Sequence, residues 1–212
     1  MPASQLSAAW WKKHRALLCK DVGLEKALKD YEKVKPAFER NMSGDNYSKL
    51  TTALNALTKA AKAQAKHCQV TGHQKTKAIA EGYEDVVQDA LKDAQTARLA
   101  LVKTVDDCTR RLVELREDND RLWEAVTDAT ELIKRIHLKM DVMQEKRAFT
   151  KTYKELKDIR SNANRHLSDL DNMPNLSKQQ ERVYKPLKLL ARVNQKNCEE
   201  FMKKLQPYSD DH

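Results

Sequence analysis

Residues 101–143 read LVKTVDDCTRRLVELREDNDRLWEAVTDATELIKRIHLKMDVM. Apolar residues recur along this stretch at intervals of four and three residues in turn, with one polar exception. The pattern continues in one phase for six heptads. Three to four such heptads already predict a coiled coil, because an apolar residue every 3.5 positions keeps one seam of a helix against its neighbour. We therefore predict a coiled-coil seam at Leu101, Val105, Cys108, Leu112, Leu115, Asn119, Leu122, Val126, Ala129, Ile133, Ile136, Met140 and Met143.

Asn119 is the one polar member of this seam. An amide at such a position lowers stability but fixes the register, because only a matched partner satisfies its hydrogen bonds. The alternative is a turn, since residues 117–120 are all polar. Arg116 and Asp120 are four residues apart and can pair along a helix, which favours continuity. A single helix over all of 74–172 would be about 150 Å long, so one helix and a helical hairpin both remain open.

The apolar face of this segment is wider than a two-stranded seam requires. Val102, Trp123, Ala125 and Leu132 are apolar at flanking positions where a dimeric coiled coil usually carries charges. Other helices should therefore cover the face. With only 4 glycines and 5 prolines in 212 residues, turns are scarce and long helices are expected. The predicted fold is all-α: an elongated antiparallel helical bundle with a long central coiled-coil helix, or a helical hairpin in its place.

Breaks in the helical pattern divide the chain. Turn-forming sequences at residues 70–73 and 172–175 interrupt the periodicity, and Ser177 with Gln180 matches the capping box that begins a helix. We predict one structural domain with three regions: a basic three-helix N-terminal region at 1–73, a long coiled-coil segment at 74–172 and a C-terminal helix at 173–212 that packs back on the bundle.

The N-terminal region is predicted to contain three shorter helices. Ser4 is the expected N-cap of the first helix. Pro36 should kink or end the second helix early, because it removes a backbone donor. The third helix is expected over about residues 46–68, where the amphipathic pattern is clearest. The apolar side of the first helix is predicted to consist of Leu6, Ala9, Trp10, Leu17 and Leu18.

Positive charge is concentrated near the N-terminus. The net charge is +9, and residues 1–75 hold 14 Lys and Arg against 6 Asp and Glu. Such an excess favours an anionic partner, although a solvated basic face gives the same pattern. Cations beside indoles suit lipid headgroups or single-stranded nucleic acid, but the preferred interpretation places Trp10 in the core and Trp11 at its rim. The candidate contacts are Trp11, Lys12, Lys13, Arg15, Lys59, Lys62 and Lys66.

No catalytic, cofactor-binding or metal-binding motif can be written for the sequence. The four glycines stand alone, so the chain has no nucleotide-binding loop and no nucleophile elbow, and no cofactor is expected. His67, Cys68 and His73 follow no zinc-ligand pattern, and a surface loop is the preferred interpretation. The four cysteines are too dispersed for CxxC spacing. Free thiols and a cytoplasmic location are expected, the alternative being a mitochondrial targeting segment at residues 1–20.

These observations favour a non-enzymatic interaction or scaffolding protein that works through coiled-coil surfaces. Its expected partner is another protein or a second copy of the chain in a homodimer, and no small-molecule substrate is expected. The alternative is a protein that binds an anionic partner, either nucleic acid or an acidic membrane surface, through the basic N-terminal helices.

Overall fold

The computed structural model describes residues 5–137 and 142–206, with side chains described for 5–135 and 147–206. The structure is 88% helical, and its described residues contain no strand. The prediction of an all-α helical bundle is therefore confirmed. The helices of the described residues are α1 (Ala8–Arg15), α2 (Leu24–Arg40), α3 (Gly44–Val70), α4 (Gln74–His137), α5 (Val142–Asp171) and α6 (Lys178–Leu205).

The long helix α4 is 64 residues long and runs through Asn119 without a break. The predicted long helix is present, and a turn at Asn119 is excluded. One isolated glycine and no proline within α4 make this length possible. The rest of the predicted coiled-coil segment belongs to a separate helix, α5. The seam side chains of Ile136, Met140 and Met143 lie outside the described residues.

Contacts divide the chain into two compact units, Met1–Val102 (unit 1) and Lys103–His212 (unit 2). The residues of α4 up to Val102 belong to unit 1, and those from Lys103 belong to unit 2. The division into regions 1–73, 74–172 and 173–212 within one domain stays a prediction.

In unit 1, α2 and α3 form a helical hairpin, against which α1 and the first part of α4 pack. The Ser43 hydroxyl caps α3 by accepting a hydrogen bond from the Asn46 N–H. Leu28, Leu54 and Tyr83 are among the side chains of this core and are fully buried. Apolar burial from α2, α3 and α4 in one cluster therefore holds unit 1 together.

The first helix differs from the prediction. Ser7 caps it, its hydroxyl accepting from the Trp10 N–H at 3.3 Å, whereas Ser4 lies outside the described residues. Because α1 ends at Arg15, Leu17 leaves the predicted apolar side and is 93% exposed. The predicted face assumed a longer helix than the one that forms.

Pro36 does not end α2, which continues to Arg40. A proline inside a helix costs about 3 kcal/mol, so the last turn needs support from elsewhere. Phe38, two residues after the proline, provides this support. Its ring is buried, and the centroid of the ring lies 6.1 Å from that of the Tyr47 ring of α3. Tertiary packing thus keeps the turn after Pro36 helical.

In unit 2, the second part of α4 packs with α5 and α6. One core cluster joins Leu122 of α4 to Leu156 of α5 and Cys198 of α6, and a second cluster brings Cys108 of α4 next to Leu170 of α5. Since residue order reverses from α4 to α5, these two helices run antiparallel. The same clusters show that α6 runs antiparallel to α5.

Most of the predicted seam positions face a core. Within the described side chains, the buried members are Cys108, Leu115, Leu122, Val126 and Ala129. The partly buried members are Leu101, Leu112, Asn119 and Ile133. Val105 is 44% exposed. The buried members pack against α5 and α6, so helices of the same chain cover this part of the seam; whether the packing is that of a true coiled coil stays a prediction.

Candidate functional site

An open cleft of about 1080 Å³ lies in unit 2 beside the first half of α6. Its walls come from the end of α5, the connection between α5 and α6, and α6 itself. Leu170 on this lining is buried, whereas Leu189 is 65% exposed. We refer to this concavity as the α6 cleft. Its aliphatic lining residues are Leu170, Met173, Leu176, Pro186 and Leu189.

Cations outnumber carboxylates in the α6 cleft. Lys188 Nζ lies 2.7 Å from Asp171 Oδ1, and the hydrogen bond from Lys188 holds the pKa of Asp171 below its ordinary value. Among the described residues, the other cations of the lining have no ion-pair partner. The lining of the cleft is therefore electropositive, and we call its five aliphatic residues the apolar floor. Its cations are Lys178, Arg182, Lys185, Lys188 and Arg192, and its carboxylates are Asp171 and Glu181.

The outer face of α6 carries a heptad pattern of its own. Steps of four, three, four, three and four residues separate Lys178, Arg182, Lys185, Leu189, Arg192 and Lys196. Residues at this spacing share one side of a helix. The buried residues of α6, among them Leu187 and Ala191, follow a different phase. Sequence reasoning missed this basic face; the signal was the regular spacing of its cations.

Hydrogen bonds fix the start of α6, and with it one wall of the α6 cleft. The Ser177 side chain accepts from the Gln180 N–H at 3.3 Å, and Gln180 Oε1 accepts from the Ser177 N–H at 3.0 Å, which confirms the predicted capping box. Gln180 Nε2 also donates to Thr104 Oγ1 at 2.9 Å, and the Tyr184 hydroxyl donates to Asp107 Oδ2 at 3.1 Å. Both bonds hold the first turns of α6 against α4, and a wall that is fixed in place lowers the cost of binding.

A second polar cluster of unit 2 joins α4 to α5. The Arg111 guanidinium lies 2.9 Å from Asp107 Oδ2 and 2.9 Å from Asp169 Oδ2. Arg110 pairs with Asp107 at 2.7 Å, and Arg165 lies 3.9 Å from a carboxylate oxygen of Glu114. Since each guanidinium already has an acidic partner, this cluster stabilises the packing of the two helices and offers little charge to a ligand.

The structure reverses the expected placement of the first two tryptophans. Trp11 is fully buried, with its ring 6.2 Å from that of Tyr83, whereas Trp10 is partly buried. Trp11 is therefore removed from the set of candidate surface contacts. The reason is helical phase: in the short helix α1, Trp11 lies three residues after the buried Ala8, on the same side.

The remaining N-terminal candidates are cations on α1 and α3. Arg15 pairs with Glu25 at 3.0 Å, and Lys62 pairs with Glu84 at 2.7 Å. Both cations therefore already have a carboxylate partner. The candidates that are exposed and make no ion pair with a described residue are Lys12, Lys13, Lys59 and Lys66.

In the described part of the chain, no group of three or more His, Cys, Asp and Glu side chains is placed to hold a metal ion. Nor does any helix there have the length and hydropathy needed to cross a membrane. Comparison with protein-family models, with curated proteins and with solved structures finds no match for this chain. The features that bear on function are therefore those of the α6 cleft itself, its excess of cations and its aliphatic lining.

Proposed function

We propose that this chain is a non-enzymatic interaction protein that binds an acidic, amphipathic helix of another protein in the α6 cleft. The observation that carries the proposal is the heptad row of cations with Leu189 among them, beside an apolar floor. Coiled-coil surfaces were the expected means of interaction. The proposal locates the interacting surface on the outer face of α6.

The apolar floor supports a partner with apolar side chains. Leu189 is 65% exposed, and burying a leucine side chain fully contributes roughly 1.5–3 kcal/mol. The cations support a partner with carboxylates at matching positions. Exposed ion pairs contribute only about 0–1 kcal/mol each, so the charges serve mainly to accelerate association and to reject other partners.

The spacing supports a helical partner from a different chain. A 4-3 row is the arrangement in which one helix meets another along a seam. A second copy of the chain would place Lys178, Arg182 and Lys185 opposite like charges, which disfavours self-association through this face. The seam of α4 is already covered by α5 and α6 of the same chain. It therefore offers little surface for a homodimer.

Binding of designed peptides to the purified protein tests the proposal. The probe is a fluorescein-labelled helical peptide with Leu at one seam position per heptad and Glu at the flanking positions. A peptide of the same composition in scrambled order, and one with Lys in place of Glu, serve as controls. Fluorescence anisotropy at low and at physiological salt gives the affinities. We expect only the ordered acidic peptide to bind, with an affinity that falls as salt rises.

Two matched double variants separate the α6 cleft from general electrostatics. Arg182→Glu/Lys185→Glu reverses two charges in the cleft, and Lys59→Glu/Lys66→Glu makes the same charge change on α3. We expect the first variant to lose at least about tenfold in affinity (roughly 1.4 kcal/mol) and the second to bind as the unmodified protein does. Equal losses in both would contradict the proposal.

Leu189 tests the apolar half of the proposal without any change of charge. Leu189→Ala removes most of an exposed apolar side chain from the basic face and should weaken binding several-fold at every salt concentration. A single-stranded oligonucleotide that competes equally well against the Leu189→Ala variant and the unmodified protein would favour the anionic-polymer alternative instead.

A further inference from the structure

Two cysteines that are far apart in sequence meet in unit 1. Cys19 lies in the connection between α1 and α2, and Cys68 lies near the end of α3. Their Sγ atoms are 2.8 Å apart, and both thiols are free. The sulfur atoms of a disulfide lie about 2.05 Å apart. The two sulfurs therefore need to approach by less than about 1 Å to bond.

A buried amide holds the Cys19 segment against α3. Gln64 is fully buried, and its Oε1 accepts from the Val22 N–H at 2.8 Å. Its Nε2 donates to the Lys20 carbonyl oxygen at 3.1 Å and to Cys19 Sγ at 3.0 Å. Gln64 precedes Cys68 by four residues, so both lie on the same side of α3. The meeting of the two thiols is thus built into the packing of the connection.

The two thiols differ in access to solvent. Cys68 is fully buried, whereas Cys19 is partly exposed. A dissolved oxidant therefore meets Cys19 first, and Cys68 is placed to react with whatever forms there. Burial and the neighbouring Cys68 thiol raise the pKa of Cys19 to about 11. Since the thiolate is the nucleophile, the reaction is slow at neutral pH and accelerates as pH rises.

We propose that Cys19 and Cys68 form a reversible disulfide that fastens the connection between α1 and α2 to α3. The oxidant is a low-molecular-weight disulfide of the glutathione type. The Cys19 thiolate attacks one sulfur of the oxidant, which releases one small thiol and leaves a mixed disulfide. Cys68, after losing its proton, attacks the Cys19 sulfur of that mixed disulfide and releases the second small thiol. Two protein thiols are oxidised, one small disulfide is reduced, and the two protons end on the small thiols.

The bond acts on the shortest helix of the described residues. α1 has eight residues, and the segment that follows it is held to α3 through Gln64. A crosslink between residues 49 positions apart restricts the unfolded chain strongly. We expect the Tm of unit 1 to rise on the order of 10 °C after oxidation, and the Val22 amide to exchange its hydrogen at least about tenfold more slowly.

Incubation of the full chain with oxidised glutathione at pH 7 and pH 9 tests the proposal. Thiols are counted by reaction with a chromogenic disulfide in denaturant, and the bond is located by mass spectrometry of a non-reducing digest. We expect two of the four thiols to disappear, faster at pH 9, with Cys19 joined to Cys68. Cys108 and Cys198, which are buried in unit 2, serve as internal controls and should stay free. A reducing agent should restore all four thiols.

Single variants check the order of the two steps. Cys68→Ser should stop at a stable glutathione adduct on Cys19, because the resolving thiol is absent. In Cys19→Ser, the remaining thiol of the pair, Cys68, is fully buried and should stay unreacted. A lasting adduct on Cys19 in the unmodified chain, a bond to Cys108 or Cys198, or four unreacted thiols at pH 9 under conditions that oxidise the denatured chain would each overturn the proposal.

Discussion

Units 1 and 2 are both built from helices, yet they differ in what their cores contain. Among the described residues, the buried polar side chains of unit 1 are Gln64 and Thr76. Unit 2 buries a larger set that comes from all three of its helices: Thr104, Asp118, Thr152, His166 and Asn194. Unit 1 instead buries the two largest fully covered aromatic side chains of the described residues, those of Trp11 and Tyr83.

The difference shows two ways of selecting one packing arrangement. A seam of aliphatic heptads allows neighbouring registers, because each heptad resembles the next, whereas a buried polar group accepts few partners. In unit 2, Asp118 Oδ2 accepts from Asn162 Nδ2 at 3.2 Å, and Asn194 Nδ2 donates to the Leu115 carbonyl oxygen at 2.9 Å. These bonds join α5 and α6 to the same part of α4. In unit 1, large side chains of irregular shape, such as that of Trp11, select one packing arrangement because few neighbours fit around them.

The largest expected effect separates two tryptophans, one in each unit. Trp11→Ala removes a fully buried ring from unit 1 and should lower its free energy of unfolding by about 3–5 kcal/mol. Trp123→Ala is the matched control in unit 2. Trp123 is 50% exposed and meets the Phe201 ring edge-on at 6.3 Å, so its loss should cost only about 1 kcal/mol.

Urea unfolding gives the free energy of unfolding of both tryptophan variants, and hydrogen exchange of peptides from each unit shows which unit is affected. An equal loss of stability in Trp123→Ala and Trp11→Ala would contradict the difference between the units. So would unchanged hydrogen exchange in unit 1 after replacement of Trp11.

The next effect concerns the polar groups of unit 2. Asn194 is fully buried, and its Oδ1 has no hydrogen-bond partner among the described residues. An unpaired buried acceptor costs about 1–3 kcal/mol, so Asn194→Leu should raise the Tm while broadening the NMR signals of α6 through looser register. Asn119, which is only partly buried, should show a smaller rise on replacement by Leu.

Should Asn119→Leu give the larger rise in Tm and the broader signals, Asn119 would be the register-setting residue and Asn194 would not. That result would support the interpretation drawn from the seam alone.

A smaller effect follows from pH. Burial lowers the pKa of His166. Its Nδ1 lies 3.3 Å from Arg111 Nη1. Its Nε2 lies 3.3 Å from Glu114 Oε2, but this second contact does not have the geometry of a hydrogen bond. Arg165 and Asp169 also act on the ring. Because the unfolded chain binds a proton more readily, the stability of unit 2 should be full above pH of about 6.5 and fall below it.

Acid titration of unfolding free energy checks this dependence, with His166→Gln as the control that should flatten it. In unit 1, the described histidines are at most partly buried, so its stability should change less over the same range. An equal loss in both units would rule out His166 as the source.

The smallest effect concerns the lysines of α3. Lys59, Lys62 and Lys66 are exposed, and only Lys62 forms an ion pair with a described residue. Replacing all three with Glu should change the stability of unit 1 by no more than about 0.5 kcal/mol per substitution. Any binding of anionic vesicles or single-stranded oligonucleotide should be weak and salt-sensitive in the unmodified protein and absent in the variant. Binding retained by the variant would exclude this face as the contact.

Much of the secondary structure could be predicted from short-range pattern. The helical course of α4 through Asn119 and the helix start at Ser177 follow from periodicity and capping chemistry, which depend on residues within one or two turns. The α6 cleft could have been located in part, because its cations recur at steps of four and three. Its apolar floor could not, since Leu170 reaches it from another helix.

Residue spacing alone is enough to predict an all-α protein in which one side of α4 is buried. It is not enough to predict that α5 and α6 cover that side. Nor does it predict that Trp11 is more buried than Trp10, or that Cys19 contacts Cys68, 49 positions along the chain. The two kinds of feature depend on interactions of different range. A helix forms through contacts a few residues apart, whereas burial and the meeting of distant side chains depend on which segments of the chain pack together.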